Sequence, residues 1–124
     1  MKENTIKLIF TGDTSFARNI QEKFLETEHR LFYETISPFI QESDMFLFNL
    51  ESVITDSKER YKFCNSHFNL VASSNSLDFM KKFEHINCKI ICSISNNHIY
   101  DANSIGIKDT ITNCRRNKII PIGI

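Results

Sequence analysis

The sequence predicts an α/β fold, a largely parallel sheet flanked by helices, and three observations carry that reading. Three short apolar runs, Ile6 to Thr11, Met45 to Phe48 and Ile90 to Ile94, each end in a polar cluster: Gly12-Asp13, Asn49-Leu50-Glu51 and Ser95-Asn96-Asn97-His98. Such runs read as buried strands that deliver polar side chains to their carboxyl ends, where open α/β sheets place their chemistry. Stretches of helical periodicity lie between them, and alternating strands and helices imply right-handed crossovers and parallel strands. In a parallel sheet Asp13, Asn49, Glu51, Asn97 and His98 would emerge at one edge, where a single site could collect them.

The elements follow in order. Ile6, Leu8 and Phe10 alternate with Lys7, Ile9 and Thr11, which gives a strand with Gly12-Asp13-Thr14-Ser15 as its exit turn. Phe16, Ile20 and Phe24 recur at the helical spacing and predict a helix from Phe16 to about Glu28, with Ser15 available as N-cap. A second helix carries Phe32, Ile36, Phe39 and Ile40. Pro38 within it implies either a kink or a stop at Ser37 with a restart at the proline. Met45 to Phe48 is apolar at every position, as in a strand covered on both faces.

Between Thr55 and Ser74 the chain is polar and irregular, with one short strand expected near 67–71. Ser74 or Ser76 can cap a helix whose buried stripe is Phe79, Met80 and Phe83. Asn103 or Ser104 starts the last helix, in which Ile107, Ile111 and Cys114 share a face, and Arg115, Arg116 and Lys118 favour its carboxyl end. Ile119 to Ile124 reads as one more strand. With no helix after it, the expectation is that residues 1–124 are the amino-terminal portion of a larger domain, truncated after Ile124, and that the uncovered strand leaves the chain prone to association.

Composition narrows the function classes. A chain of 124 residues with 41% hydrophobic residues and eleven Phe can bury a core, and its formal net charge of zero gives no electrostatic reason to expect nucleic acid. The start Met1-Lys2-Glu3-Asn4-Thr5 is polar, the run behind it is too short for a signal peptide, and no run is long enough for a membrane span, so the chain as given reads as cytoplasmic. Cys64, Cys88, Cys92 and Cys114 show no CxxC spacing and read as reduced core thiols. Cys88 and Cys92 lie along one strand face and do not bridge, whereas the pairing of Cys64 or Cys114 stays open.

Gly12-Asp13 after a first strand, Asp44 leading into Asn49-Leu50-Glu51, Ser95-Asn96-Asn97-His98 with Asp101, Asp109-Thr110 on a following helix and a strand closing in Gly123 together resemble the CapA capsule-biosynthesis family. That family is tied to poly-γ-glutamate synthesis and is similar in fold to calcineurin-like metallophosphatases. The resemblance covers essentially the whole chain and corresponds to the amino-terminal part of a CapA-type domain. It implies a partial metallophosphatase-like α/β/β/α domain and a divalent-metal site (Mn, Fe, Zn or Mg). It also implies a phosphoester or γ-glutamyl substrate, or an anionic polymer, with other capsule-synthesis subunits as partners; family members are often membrane-anchored. The chain departs from the family pattern at Ser52 and Asn103, where glycines are usual, in lacking the Asp-x-His opening of ordinary metallophosphatases, and in having no HxGxE-type or His-rich segments.

On this resemblance Asp13, Glu51 and Asn97 would be oxygen ligands to metal, His98 would move a proton or stabilise charge, and Asp101 would orient His98 or hold its loop. Each has a plainer reading. Asp13 could be a turn acid, Glu51 reads equally as a solvent-facing acid, His98 could be a hydrogen-bonded structural histidine, and Asn96 reads as a backbone-bonding residue. His29, His67 and His85 read as surface residues. Three oxygen ligands are few for two ions, so this chain alone is expected to bind metal weakly and to turn over neither phosphoesters nor γ-glutamyl amides. The alternatives are a non-catalytic module of the same fold that holds an anionic polymer or a partner, and a truncated product without function.

Overall fold

A computed structural model describes residues 5–23, 29–58 and 69–123. In chain order its elements are β1 (Leu8–Thr14), α1 (Asn19–Lys23), α2 (His29–Gln41), β2 (Met45–Leu50), β3 (Val53–Ile54), β4 (Val71–Ala72), a 3₁₀ helix (Ser74–Phe83), β5 (Lys89–Ser93), α3 (Asn103–Arg116) and β6 (Ile120–Ile122). β1, β2, β5 and β6 form one sheet in that spatial order, every pair parallel, and β3 pairs with β4 in a small second sheet. No helix among the described residues is long and apolar enough to cross a membrane.

Because the strands are laid down in one direction, crossovers of one hand place their helices on one face of the sheet. Phe46, Phe48, Ile90 and Cys92 line that face and are buried with Phe79, Met80 and Phe83 of the 3₁₀ helix. Phe32 of α2 meets Phe79 edge to face, Tyr33 packs tilted on Phe83, and Cys114 of α3 meets Cys92. Each fully buried Phe, Ile or Met among these contributes about 1.5–3 kcal/mol by leaving water. The opposite face is apolar yet open: Leu8 is 49% exposed, Phe10 66%, Ile120 47% and Ile122 43%. Met45 to Phe48 is therefore covered fully on one side only, with Met45 and Leu47 half-buried.

The first predicted helix starts three residues late: 16–18 are not helical, α1 covers Asn19–Lys23, and residues 24–28 lie outside the described residues. Phe16 is buried ahead of α1, its backbone N–H donating to Ser52 Oγ at 2.7 Å, and Ile20 is half exposed. Ser15 caps nothing in α1; its hydroxyl lies 2.9 Å from that of Ser52. Phe24 lies outside the described residues. α2 runs unbroken through Pro38, at a solvent-facing position where water can take the place of the missing N–H.

The buried stripe of α3 is Gly106, Thr110, Asn113 and Cys114, and Ile107 and Ile111 are only half-buried. The polar members have a purpose: Thr110 Oγ1 accepts the N–H of Ile54 at 2.9 Å, and Asn113 Nδ2 donates to the Ile54 carbonyl at 3.0 Å. Side chains of the helix thus stand in for a neighbouring strand along β3 and satisfy backbone groups that would otherwise be buried unpaired. α3 ends with Lys118 at φ 60°, the N–H of Ile119 bonding to the Cys114 carbonyl at 2.9 Å and that of Lys118 to the Arg115 carbonyl at 3.1 Å. This is the left-handed cap that usually uses glycine. The short strand expected near 67–71 is β4, two residues long, and residues 67 and 68 lie outside the described residues.

Candidate functional site

The carboxyl ends of β1, β2 and β5 carry a continuous row of polar side chains. It begins with an irregularity in β1. Leu8, Ile9 and Phe10 pair with Met45, Phe46 and Leu47, but the next pair is Asp13 with Asn49, so β1 holds one extra residue at Thr11-Gly12. In unbroken register Gly12 would face Asn49, and Asp13 would fall opposite Leu50 on the helix-covered face. The bulge moves Asp13 to the open face. There Asn49 Nδ2 donates to Asp13 Oδ1 at 2.7 Å.

The row continues from Asn49 into the loop after β5. Asn96 Nδ2 donates to Asn49 Oδ1 at 3.1 Å and to the Leu50 carbonyl at 2.9 Å, while Asn96 Oδ1 accepts the backbone N–H of His98 at 3.0 Å. His98 Nδ1 lies 2.7 Å from Asp101 Oδ2, and that oxygen also accepts the N–H of Leu70 at 2.7 Å. The loop is thereby tied to β2 at one end and to the start of β4 at the other. Asn103, in the position where the sequence lacks a glycine, takes φ 58°, a conformation asparagine tolerates.

The structure brings together Asp13, His98 and Asp101, linked by Asn49 and Asn96. Glu51 follows β2 at the same edge, its N–H on the Thr14 carbonyl at 3.0 Å. It is half-buried, and among the described residues its carboxylate has no hydrogen-bond or cationic partner. Asn97 is exposed beside the row and is not a member of it. His85 is exposed, and His67 and the side chain of His29 lie outside the described residues.

Sequence reasoning passed over two supports. Ser52, buried, anchors the loop after Asp13 through the Phe16 N–H, and the Leu70 N–H steadies Asp101. Neither has a local signature, because each joins residues more than thirty positions apart. Asn49 was visible as an amide at a strand end, although its tie to Asp13 depends on the bulge.

Asp13 and Glu51, carboxylates at one edge without a cationic partner among the described residues, and the exposed amide of Asn97 are oxygen donors of the kind a hard divalent cation takes, although among the described residues no three His, Cys, Asp or Glu side chains are gathered into a metal group. An apolar cavity of about 100 Å³ between the sheet and its helices, lined by Phe16, Phe32, Phe48 and Phe79 among others, belongs to the core and not to this row.

Residues 7–124 match the family model described as bacterial capsule synthesis protein PGA_cap. No curated protein matches the chain.

Proposed function

The chain belongs to the bacterial capsule synthesis protein family, and with it to a capsule-synthesis-related function; from the polar row at the sheet edge we propose that it contributes a divalent-metal site for hydrolysis to that work, on poly-γ-glutamate or another anionic polymer. The observation that carries this reading is the pair of uncompensated carboxylates. Asp13 and Glu51 lack cationic partners among the described residues, so an anionic substrate would be repelled from this edge unless a cation stood between.

Asp13, Glu51 and Asn97 are the residues that would hold such an ion. When bound, it supplies Lewis-acid polarisation of a phosphoryl or carbonyl oxygen and a more acidic water. Asn49 holds one oxygen of Asp13 and leaves the other available. Asp101, acting as acceptor, keeps the proton of the neutral imidazole on His98 Nδ1, so Nε2 presents a lone pair that can take a proton and afterwards return it to a leaving group. Asn96 and Asp101 position that ring through the loop backbone and Nδ1.

The test pairs Mn²⁺ titration with hydrolysis of a phosphodiester and a γ-glutamyl amide by the complete gene product, since the 124 residues alone are expected to hold metal weakly and to turn over neither substrate. Asp13→Asn and Glu51→Gln should each weaken Mn²⁺ binding, and His98→Ala should lower turnover more than metal content. Loss of metal in the His98 variant would overturn the assignment of roles. Stoichiometric metal without turnover would point to a module that holds its polymer or a partner subunit instead of cutting it.

A further inference from the structure

Away from the polar row, two sulfur atoms meet in the core. Cys92 on β5 and Cys114 near the end of α3 are both fully buried, and their Sγ atoms lie 3.7 Å apart. The two residues bracket the crossover from β5 to α3, so Asn96, His98 and Asp101 all fall between them. Cys88 is placed differently: half-buried, with Sγ 3.4 Å from Ser43 Oγ.

We propose that Cys92 and Cys114 are a disulfide site, closed when the chain folds in the presence of a small disulfide oxidant, and that the bond cinches the crossover carrying the candidate site. The sulfurs already touch across a strand and a helix, and a bond at about 2.0 Å requires them to approach by less than the radius of one sulfur atom. Among the described residues no other side chain hydrogen-bonds either sulfur, so closure displaces no side-chain partner.

The chemistry balances with a glutathione-type disulfide as oxidant. The thiolate of one cysteine attacks the oxidant, forming a mixed disulfide and releasing one small thiolate. The second cysteine, deprotonated, attacks the protein sulfur of that mixed disulfide, forming the Cys92–Cys114 bond and releasing the other small thiolate. Two protein thiols are oxidised by two electrons and one disulfide is reduced to two thiols. Timing follows from burial. In the folded chain the Cys114 partner, and then desolvation, hold the Cys92 thiol far above the ordinary cysteine range, so the thiolate is available before β5 and α3 close and not after. Once made, the bond is shielded from reductants by the same core.

The experiment uses the unaltered chain, denatured and reduced, then refolded in a buffer of reduced and oxidised glutathione or in reductant alone. Peptide mapping of the alkylated products should find Cys92 linked to Cys114. The oxidised form should melt about 10 °C above the reduced form, as expected for closing a loop of this length, and the backbone amide of His98 should exchange more slowly. Recovery of both cysteines as alkylated thiols after oxidative refolding would overturn the proposal, as would a preferred bond to Cys64 or Cys88 or an oxidised form that melts no higher than the reduced one. Refolding of Cys114→Ser under the same conditions should leave Cys92 alkylatable and abolish the difference in melting.

Discussion

His98 Nδ1 stands 2.7 Å from Asp101 Oδ2, and the same oxygen accepts the Leu70 N–H at 2.7 Å. A backbone N–H can only donate, so the shared oxygen is an acceptor and the neutral ring must give it the Nδ1 proton. Asp101→Ala removes the acceptor from both donors and should destabilise the chain by about 2–3 kcal/mol in urea unfolding. Nitrogen shifts of the His98 ring at neutral pH should report the Nδ1–H tautomer in the wild type and a shift toward Nε2–H in the variant. An unchanged tautomer would mean that Asp101 does not orient the ring.

Asn96 is the joint of the row, with one amide reaching Asn49, the Leu50 carbonyl and the His98 N–H. Asn96→Ala should cost about 1–3 kcal/mol and should raise hydrogen exchange at the His98 amide more than at amides within α3. Asn96→Asp is the sharper probe: it keeps an acceptor for His98 but loses the donors to Asn49 and Leu50, so exchange at His98 should stay slow while stability still falls.

Two positions on α3 should respond in opposite directions. A Cβ added at Gly106 would come within 2.6 Å of Ala102 Cβ and 2.7 Å of Val53 Cγ1, so Gly106→Ala should destabilise the chain by about 1–3 kcal/mol through overpacking, despite alanine's better helix propensity. Lys118 holds φ 60° in the cap after α3, and Lys118→Gly should stabilise by about 1 kcal/mol. Thermal melts of the two variants, side by side, would check both signs.

These residues show what periodicity can and cannot reveal. β2 and β5 were legible because their runs are short, apolar and bounded, and the edge residues were legible because each run stops at amides and acids. The loop at Phe16 was not, since its aromatic spacing suits a helix and the competing bond comes from Ser52, thirty-six positions away. The stripe of α3 was misplaced by one position for a similar reason: Thr110 and Asn113 are buried to serve the backbone of Ile54, and hydrophobic patterning cannot see a polar group that is buried because it is paired. The bulge that turns Asp13 toward Asn49 adds one residue to one strand, which becomes visible only when the partner strand is known.

The last prediction concerns the open face of the sheet. Strands laid down in one direction put their helices on one side, so Leu8, Phe10, Ile120 and Ile122 stay in water by topology and not through any polar tendency of their own. Register sets Phe10, Leu47, Ile91 and Ile120 in one row across all four strands, which makes a continuous apolar stripe of them. Stripes of that kind drive association. Sedimentation of the 124-residue chain should therefore show mass rising with concentration. Phe10→Lys, at the most exposed side chain of the row, should shift the distribution toward monomer while leaving the melting temperature within about 2 °C, because surface substitutions usually change stability by less than about 0.5 kcal/mol. A wild-type chain that stays monomeric at high concentration would show that this face is not adhesive. A Phe10 variant that associates as before would place the contact elsewhere, and β6, an edge strand of the sheet among the described residues, would be the next surface to change.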